Sequence, residues 1–114
     1  MINFTVEEKG GILVIKIIGR LDAVASPSLE KKIAEFSSSQ IILDFSEVDY
    51  LSSAGMRVLL STTKKLKSQK GALHCCYIGE DVMEVIKMAG FERILLHFPT
   101  EAEARKGFSS KNDT

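Results

Sequence analysis

The amino-acid sequence predicts a single α/β domain in which an N-terminal β-hairpin leads into alternating strands and helices. Residues 2–7 alternate apolar and polar side chains, which is typical of a strand with one buried face. Further along the chain, short apolar runs alternate with segments whose apolar residues recur every three or four positions. Strands separated by single helices favour right-handed crossovers. We therefore expect a mixed, mostly parallel sheet with helices packed on it.

Length, composition and charge restrict the function classes. The chain has 114 residues, of which 45% are hydrophobic and 26% charged, as expected for one globular domain. Fifteen basic and fifteen acidic residues cancel, so we expect no direct nucleic-acid binding. No apolar run is long enough for membrane insertion. The adjacent Cys75 and Cys76 are poorly placed for a disulfide, which favours a cytoplasmic protein.

The first elements are predicted from turn and cap residues. A glycine turn at positions 10–11 separates the first strand from a β-branched strand over residues 12–18. Ser26 is a candidate helix cap, with Pro27 in the first turn. Residues 41–43 form a short apolar run, which predicts a strand in the middle of the sheet covered on both faces.

The second half predicts three more helices and two more strands. A helix is expected from about Ser53 to Gly71, a strand over 73–78, a helix ended by Gly90, a strand over 94–98 and a short helix over 101–106. Because neighbouring side chains of a strand point to opposite faces, we expect at most one of the two cysteines to be buried. We expect the domain to span residues 1–107 and residues 108–114 to form a disordered tail.

Two predicted loops are the places to look for a functional site. Residues 19–22 and 44–55 follow strands, and the carboxyl ends of parallel strands meet at one edge of a sheet. Ser52 and Ser53 lie where the second loop becomes a helix, so either serine could cap that helix. A phosphate attached there could also be accommodated, because a helix N-terminus offers free N–H groups and a positive dipole end. Both interpretations remain open at this point.

Enzyme and cofactor sites find little support. The sequence Ser53-Ala54-Gly55 is similar to the end of a nucleophile elbow, but Leu51 stands where that motif needs its first glycine. The two histidines, His74 and His97, lie in predicted strands with no clustered metal ligands. The glycines form neither a dinucleotide fingerprint nor a phosphate loop. We therefore expect no enzyme activity, no cofactor and no metal.

Residues 43–59, with the sequence LDFSEVDYLSSAGMRVL, strongly resemble the STAS family, the sulfate transporter and anti-sigma factor antagonist domains. Residues 19–22 and 88–91 add further family landmarks, and the resemblance covers roughly residues 1–107. Without a membrane segment, the chain looks like the free-standing bacterial anti-sigma factor antagonist. The resemblance implies partner switching that regulates transcription. The unphosphorylated antagonist binds an anti-sigma factor that is also a serine kinase, phosphorylation ends that binding, and a serine phosphatase resets the switch.

The resemblance also implies which residues take part. The family's modified serine falls on Ser53, with Ser52 as an alternative acceptor because it replaces the acidic residue that precedes this serine in the family. Ala54 replaces the family's second hydroxyl residue, and Arg20 replaces a nearby acidic residue. The expected partner-binding residues are Arg20, Asp22, Ser52, Ser53, Ala54, Gly55, Met56 and Arg57.

Two other functions compete with this interpretation. An unswitched STAS adaptor subunit of a membrane transporter complex would use the same helix face, and the altered neighbours of Ser53 favour it. A small-molecule or nucleotide sensor is a third possibility, which a ligand-induced rise in melting temperature would distinguish.

Overall fold

A computed structural model of the chain describes residues 2–109, so most of the predicted tail lies outside the described residues. Within that range, strands and helices follow one another in the predicted order. They are β1 (Asn3–Lys9), β2 (Ile12–Leu21), α1 (Ser26–Ala34), β3 (Gln40–Leu51), α2 (Ser53–Ser68), β4 (Ala72–Cys76), α3 (Glu80–Met88), β5 (Leu96–Phe98) and α4 (Glu101–Ser109). None of these helices is long and apolar enough to cross a membrane.

The five strands form one mixed sheet in the order β1-β2-β3-β4-β5. β1 pairs antiparallel with β2, which confirms the predicted hairpin at the sheet edge. The pairs β2–β3, β3–β4 and β4–β5 are parallel, and each is connected through one helix. The central position predicted for β3 is therefore correct.

The larger core lies on the sheet face that α1, α2 and α3 cover. Alternate residues of β2, such as Leu13 and Ile15, point into this core and meet Leu29 of α1, Leu59 of α2 and Ile86 of α3. All five side chains are essentially inaccessible to solvent. This face holds the apolar stripes that the helical periodicity predicted.

The opposite face has a smaller core, which α4 covers. Cys76 and Phe108 are buried there together with strand residues such as Val14. Cys75 is buried in the larger core, so the expectation that at most one cysteine is buried was wrong. α4 runs through Ser109, and Phe108 is only 2% exposed. The predicted domain end at residue 107 therefore falls inside the last helix.

β3 is much longer than predicted, because residues 44–51 continue the strand and do not form a loop. Its pairing with β2 shifts register between Lys16 and Ile18 and again between Gly19 and Leu21. Gly19 has φ of +129°, a conformation that side-chain-bearing residues rarely adopt. The pairing of β3 with β4 ends at Asp44, whereas its pairing with β2 continues to Leu51, just before α2 begins.

The helix ends differ from the predictions in detail. Ala25, not Ser26, is the N-cap residue of α1, because Ser26 is already the first residue of the helix; its hydroxyl donates to the Asp22 carbonyl oxygen at 2.6 Å. α2 ends at Ser68, and Lys70 adopts φ of +62° beyond it. The Gly71 N–H then donates to the Leu66 carbonyl oxygen at 2.8 Å, which satisfies an end carbonyl of the helix.

Candidate functional site

The ends of β2 and β3 bring the two predicted site segments together. Leu21 pairs with Leu51 at the last position of the register, and the Ser52 N–H donates to the Leu21 carbonyl oxygen at 2.9 Å. The start of α2 is thereby fixed beside the connection between β2 and α1. Residues 20–22 and 52–57 consequently form one surface, as the sequence predicted from the shared sheet edge.

Ser52 is the N-cap residue of α2. Its Oγ accepts a hydrogen bond from the Gly55 N–H at 3.1 Å and donates one to the Leu21 carbonyl oxygen at 2.8 Å. Its backbone is extended, with φ of −87° and ψ of 169°, as a capping residue requires. The capping interpretation is therefore correct for Ser52, whose hydroxyl both donates and accepts a hydrogen bond.

Ser53 is the first residue of α2 and differs sharply from its neighbour. Its side chain is exposed, and within residues 2–109 its hydroxyl has no hydrogen-bond partner. The first turn of α2 contains no acidic residue to compensate the positive end of the helix dipole. A negative group attached to Ser53 would therefore be electrostatically favourable for the helix itself.

Two cationic side chains lie on this surface. Arg57 is exposed and follows Ser53 by four residues, so both lie on one face of α2. The exposed Arg20 guanidinium carbon lies 4.2 Å from the centroid of the Tyr50 ring, a cation–π contact between neighbouring strands. Asp22 has a local structural role, because its Oδ1 accepts from the Ala25 N–H at 2.8 Å and holds the turn before α1.

Exposed apolar groups near Arg20 were missed by sequence reasoning. Val24 is 87% exposed and lines a cavity of about 400 Å³ together with Arg20, Asp22 and Gly19. Tyr50 is partly exposed beside the same arginine. An isolated valine between two predicted elements carries no periodic signal, so its exposure could not be predicted from the pattern.

Not every predicted contact residue presents a side chain to solvent. Met56 is 4% exposed and packs in the larger core, so it supports α2 and cannot contact a partner in this conformation. Gly55 is also buried, and a Cβ atom there would lie 2.8 Å from Leu51 Cδ1 and 3.1 Å from the Leu21 carbonyl oxygen. Ala54 is half-buried. Gly55 lets α2 approach β2 closely, and the exposed part of the candidate site is Arg20, Ser53 and Arg57.

The remaining chemically reactive residue types lie away from this surface. Burial raises the pKa of the Cys75 thiol to about 12, with a smaller contribution from Cys76, so it stays protonated at neutral pH. His74 is buried, with Nδ1 2.8 Å from the Ala104 carbonyl oxygen, whereas His97 is exposed on β5. No group of three metal-ligating side chains occurs within residues 2–109.

Comparison with known proteins places the chain in a family. BtrV of Bordetella bronchiseptica, provisionally named an anti-sigma factor antagonist, is 30% identical over 92 residues, or 78% of this chain and 79% of BtrV. The anti-sigma-F factor antagonist RsfB of Mycobacterium tuberculosis is 27% identical over 109 residues, covering 93% of this chain and 88% of RsfB.

A solved structure shows the same similarity in three dimensions. The crystal structure of an anti-sigma factor antagonist from Mycobacterium paratuberculosis superposes with a TM-score of 0.85 at 27% identity, covering 96% of this chain and 95% of that one. The family model that describes the STAS domain matches residues 3–104. The chain therefore belongs to the STAS domain family.

Proposed function

We propose that this protein is an anti-sigma factor antagonist that works by partner switching through Ser53. In its unphosphorylated form it binds an anti-sigma factor that is also a serine kinase, which frees a sigma factor and so regulates transcription. Phosphorylation of Ser53 releases the antagonist. The observation that carries this proposal is the contrast between Ser53, whose hydroxyl is exposed and unpaired within residues 2–109, and Ser52, whose hydroxyl is held in the helix cap.

The names of the similar proteins support the first part of this proposal. BtrV, RsfB and the mycobacterial protein of known structure all carry anti-sigma factor antagonist in their names. These similarities extend over most of each chain, so they concern the whole STAS fold and not one local motif. An anti-sigma factor is accordingly the partner that we propose for the surface around Ser53.

The geometry supports Ser53 over Ser52 as the phosphoryl acceptor. A kinase would transfer the terminal phosphoryl group of ATP to the serine Oγ, with loss of the hydroxyl proton and release of ADP. At Ser52 this reaction would break the hydrogen bond to the Leu21 carbonyl oxygen, which needs that proton. At Ser53 no hydrogen bond within the described residues is lost.

A phosphate on Ser53 would act mainly on the interface. It adds about −1.5 to −2 charges at neutral pH, and its desolvation in an interface without a cationic partner disfavours the complex. A hundredfold loss of affinity corresponds to only about 2.7 kcal/mol, which one such group can supply. Because α2 already begins at Ser53, the switch requires no rearrangement of the fold.

The chain itself supplies no catalytic group in this proposal. The kinase carries out phosphoryl transfer, and a serine phosphatase hydrolyses the phosphoserine with water to release inorganic phosphate. We place this cycle in the cytoplasm, where the buried thiols of Cys75 and Cys76 would remain reduced.

Paired baits test the proposal in native lysate. Ser53→Ala keeps the site neutral, Ser53→Asp adds a charge, and Ser37→Asp adds the same charge at an exposed position between α1 and β3. Mass spectrometry identifies the captured proteins and the phosphorylated residues of the wild-type protein. We expect an ATP-binding serine kinase on the Ser53→Ala and Ser37→Asp baits but not on Ser53→Asp, with phosphate on Ser53.

Two results would contradict the proposal. Phosphate on Ser52 alone would move the switch to the helix cap. Transporter subunits retained equally by all three baits, with no phosphate on the wild-type protein, would instead support the unswitched adaptor.

A further inference from the structure

A groove runs beside the second half of α2. Two adjoining cavities of about 610 Å³ each share Thr63, Lys64 and Ile94 in their lining. Leu96 of β5 lines the second cavity, so part of the edge strand is accessible to solvent here. Ile94 is 52% exposed. The α2 groove is defined by Leu60, Thr63, Lys64, Phe91, Ile94 and Leu96.

The border of the α2 groove is predominantly basic. Arg57, Lys64, Lys67 and Arg93 line its two cavities, against the single acidic residue Glu30. Within residues 2–109 none of the four cations takes part in a salt bridge. This excess is local, because the chain as a whole has a formal net charge of zero. The groove therefore favours an occupant that combines apolar and acidic side chains.

The outer side of α3 has that combination. Asp81, Glu84, Val85 and Met88 occupy positions i, i+3, i+4 and i+7, so they form one stripe along the helix. Met88 is 81% exposed and Val85 is also exposed. Neither acidic side chain has an ion-pair partner within the described residues. We call these four residues the α3 stripe.

We propose that the α3 stripe of one copy of this protein binds the α2 groove of a second copy. Amphipathic helices commonly bind apolar grooves through residues at i, i+3, i+4 and i+7. Here Val85 and Met88 would contact Leu60 and Ile94, and the acidic residues of the stripe would face the basic border. The two surfaces are complementary in both apolar character and charge. A pair of copies related by a two-fold axis would bury both contacts at once.

Self-association of this kind would place most of its contacts away from the proposed switch. Lys64 follows Ser53 by eleven residues, which is about 16 Å along the axis of α2. The inference therefore does not depend on the proposed phosphorylation of Ser53. The two surfaces meet at Arg57, which lines the α2 groove and follows Ser53 by four residues.

Sedimentation equilibrium tests whether the protein self-associates. We expect the average mass of the wild-type protein to rise above the monomer mass of 12.6 kDa as its concentration increases. A suitable range is about 20 µM to about 1 mM, because small interfaces of this type are weak. The association should weaken when NaCl is raised from about 50 mM to about 500 mM, because salt screens the attraction between surface charges.

Charge reversal tests which surfaces meet. Lys64 and Glu84 are exposed, so Lys64→Glu and Glu84→Lys should fold normally and each weaken association by about fivefold or more. An equimolar mixture of the two variants should associate again, because every stripe then faces a groove of opposite charge. Lys106→Glu makes the same charge change on α4, on the opposite face of the sheet, and is the matched control. Met88→Ser should weaken association without lowering stability.

Three outcomes would overturn the inference. The first is a wild-type mass of 12.6 kDa at every concentration. The second is an equal effect of Lys106→Glu and Lys64→Glu. The third is a mixture of the two charge-reversed variants that remains monomeric.

Discussion

Two regions of the molecule carry residue types that can perform chemistry: the sheet face under α4 and the beginning of α2. Only the beginning of α2 exposes such a group to solvent. Under α4, Cys76 and His74 are buried, and the His74 ring stacks on Phe108 with centroids 3.8 Å apart. At the beginning of α2, Ser52 is held in the helix cap while Ser53 is exposed. The difference teaches that residue type indicates a functional group only where packing leaves it accessible.

The largest effect on stability is expected under α4. Phe108→Ala removes a ring that is 2% exposed and leaves a cavity beside His74. Such substitutions cost about 3–5 kcal/mol, so we expect the free energy of unfolding, measured by urea denaturation, to fall by that amount. A loss below about 1 kcal/mol would show that α4 is not part of the cooperative core.

A pair of truncations sharpens the same point. A chain that ends at Gly107 follows the boundary predicted from sequence and lacks Phe108, whereas a chain that ends at Ser109 keeps it. We expect the longer chain to be more stable by about 3 kcal/mol or more. Equal stability of the two would contradict the role given to Phe108.

A smaller loss is expected at Gly55, where α2 approaches β2. An added Cβ would lie 2.8 Å from Leu51 Cδ1 and 3.1 Å from the Leu21 carbonyl oxygen. Crowding of this kind costs about 1–3 kcal/mol, against a gain of up to about 1 kcal/mol from the better helix propensity of alanine. Gly55→Ala should therefore lower the melting temperature. A raised melting temperature would show that the approach is looser than described.

Ser52 and Ser53 form a matched pair for the next smaller effect. Ser52→Ala removes the helix cap, and we expect a loss of about 1 kcal/mol in the free energy of unfolding. Ser53→Ala removes no hydrogen bond within the described residues and should change stability by less than about 0.5 kcal/mol. Thermal denaturation of both variants side by side measures the contrast. Equal losses would contradict the assignment of the cap to Ser52 alone.

Local patterns predicted the element order and the hairpin but not the length of β3. Phe45, Val48 and Leu51 are buried at intervals of three, which is not the alternation of a regular strand. The register shifts between β2 and β3 produce this spacing, because each one changes which side chains face the core. A bulge depends on both strands, so one strand's pattern cannot reveal it.

The α4 face was missed for a different reason. The burial of Cys76 depends on Ala104 and Phe108, which lie about thirty residues further along the chain. Nothing near the cysteine indicates this cover, and the apolar residues of α4 are too few to predict which strand they meet. At the site, by contrast, the serine pair at a strand-to-helix junction was enough to predict a cap, but only the structure showed which serine provides it.

A small expected gain in stability accompanies the largest expected effect on binding. Ser53→Asp places a negative charge at the N-terminus of α2, where it is favourable by about 0.3–1 kcal/mol. The melting temperature should therefore stay the same or rise slightly while partner affinity falls. If Ser53→Asp lowered both the affinity and the melting temperature, the loss of binding could come from damage to the fold, and the prediction would be wrong.

The most direct test of the partner switch is the dissociation constant of this protein for the anti-sigma factor captured by the Ser53→Ala bait. Isothermal titration calorimetry would compare the unphosphorylated protein with protein phosphorylated on Ser53 by that kinase. The account predicts binding that is weaker by about a hundredfold after phosphorylation, or about 2.7 kcal/mol, with a melting temperature that does not fall. Equal dissociation constants for the two forms would contradict it.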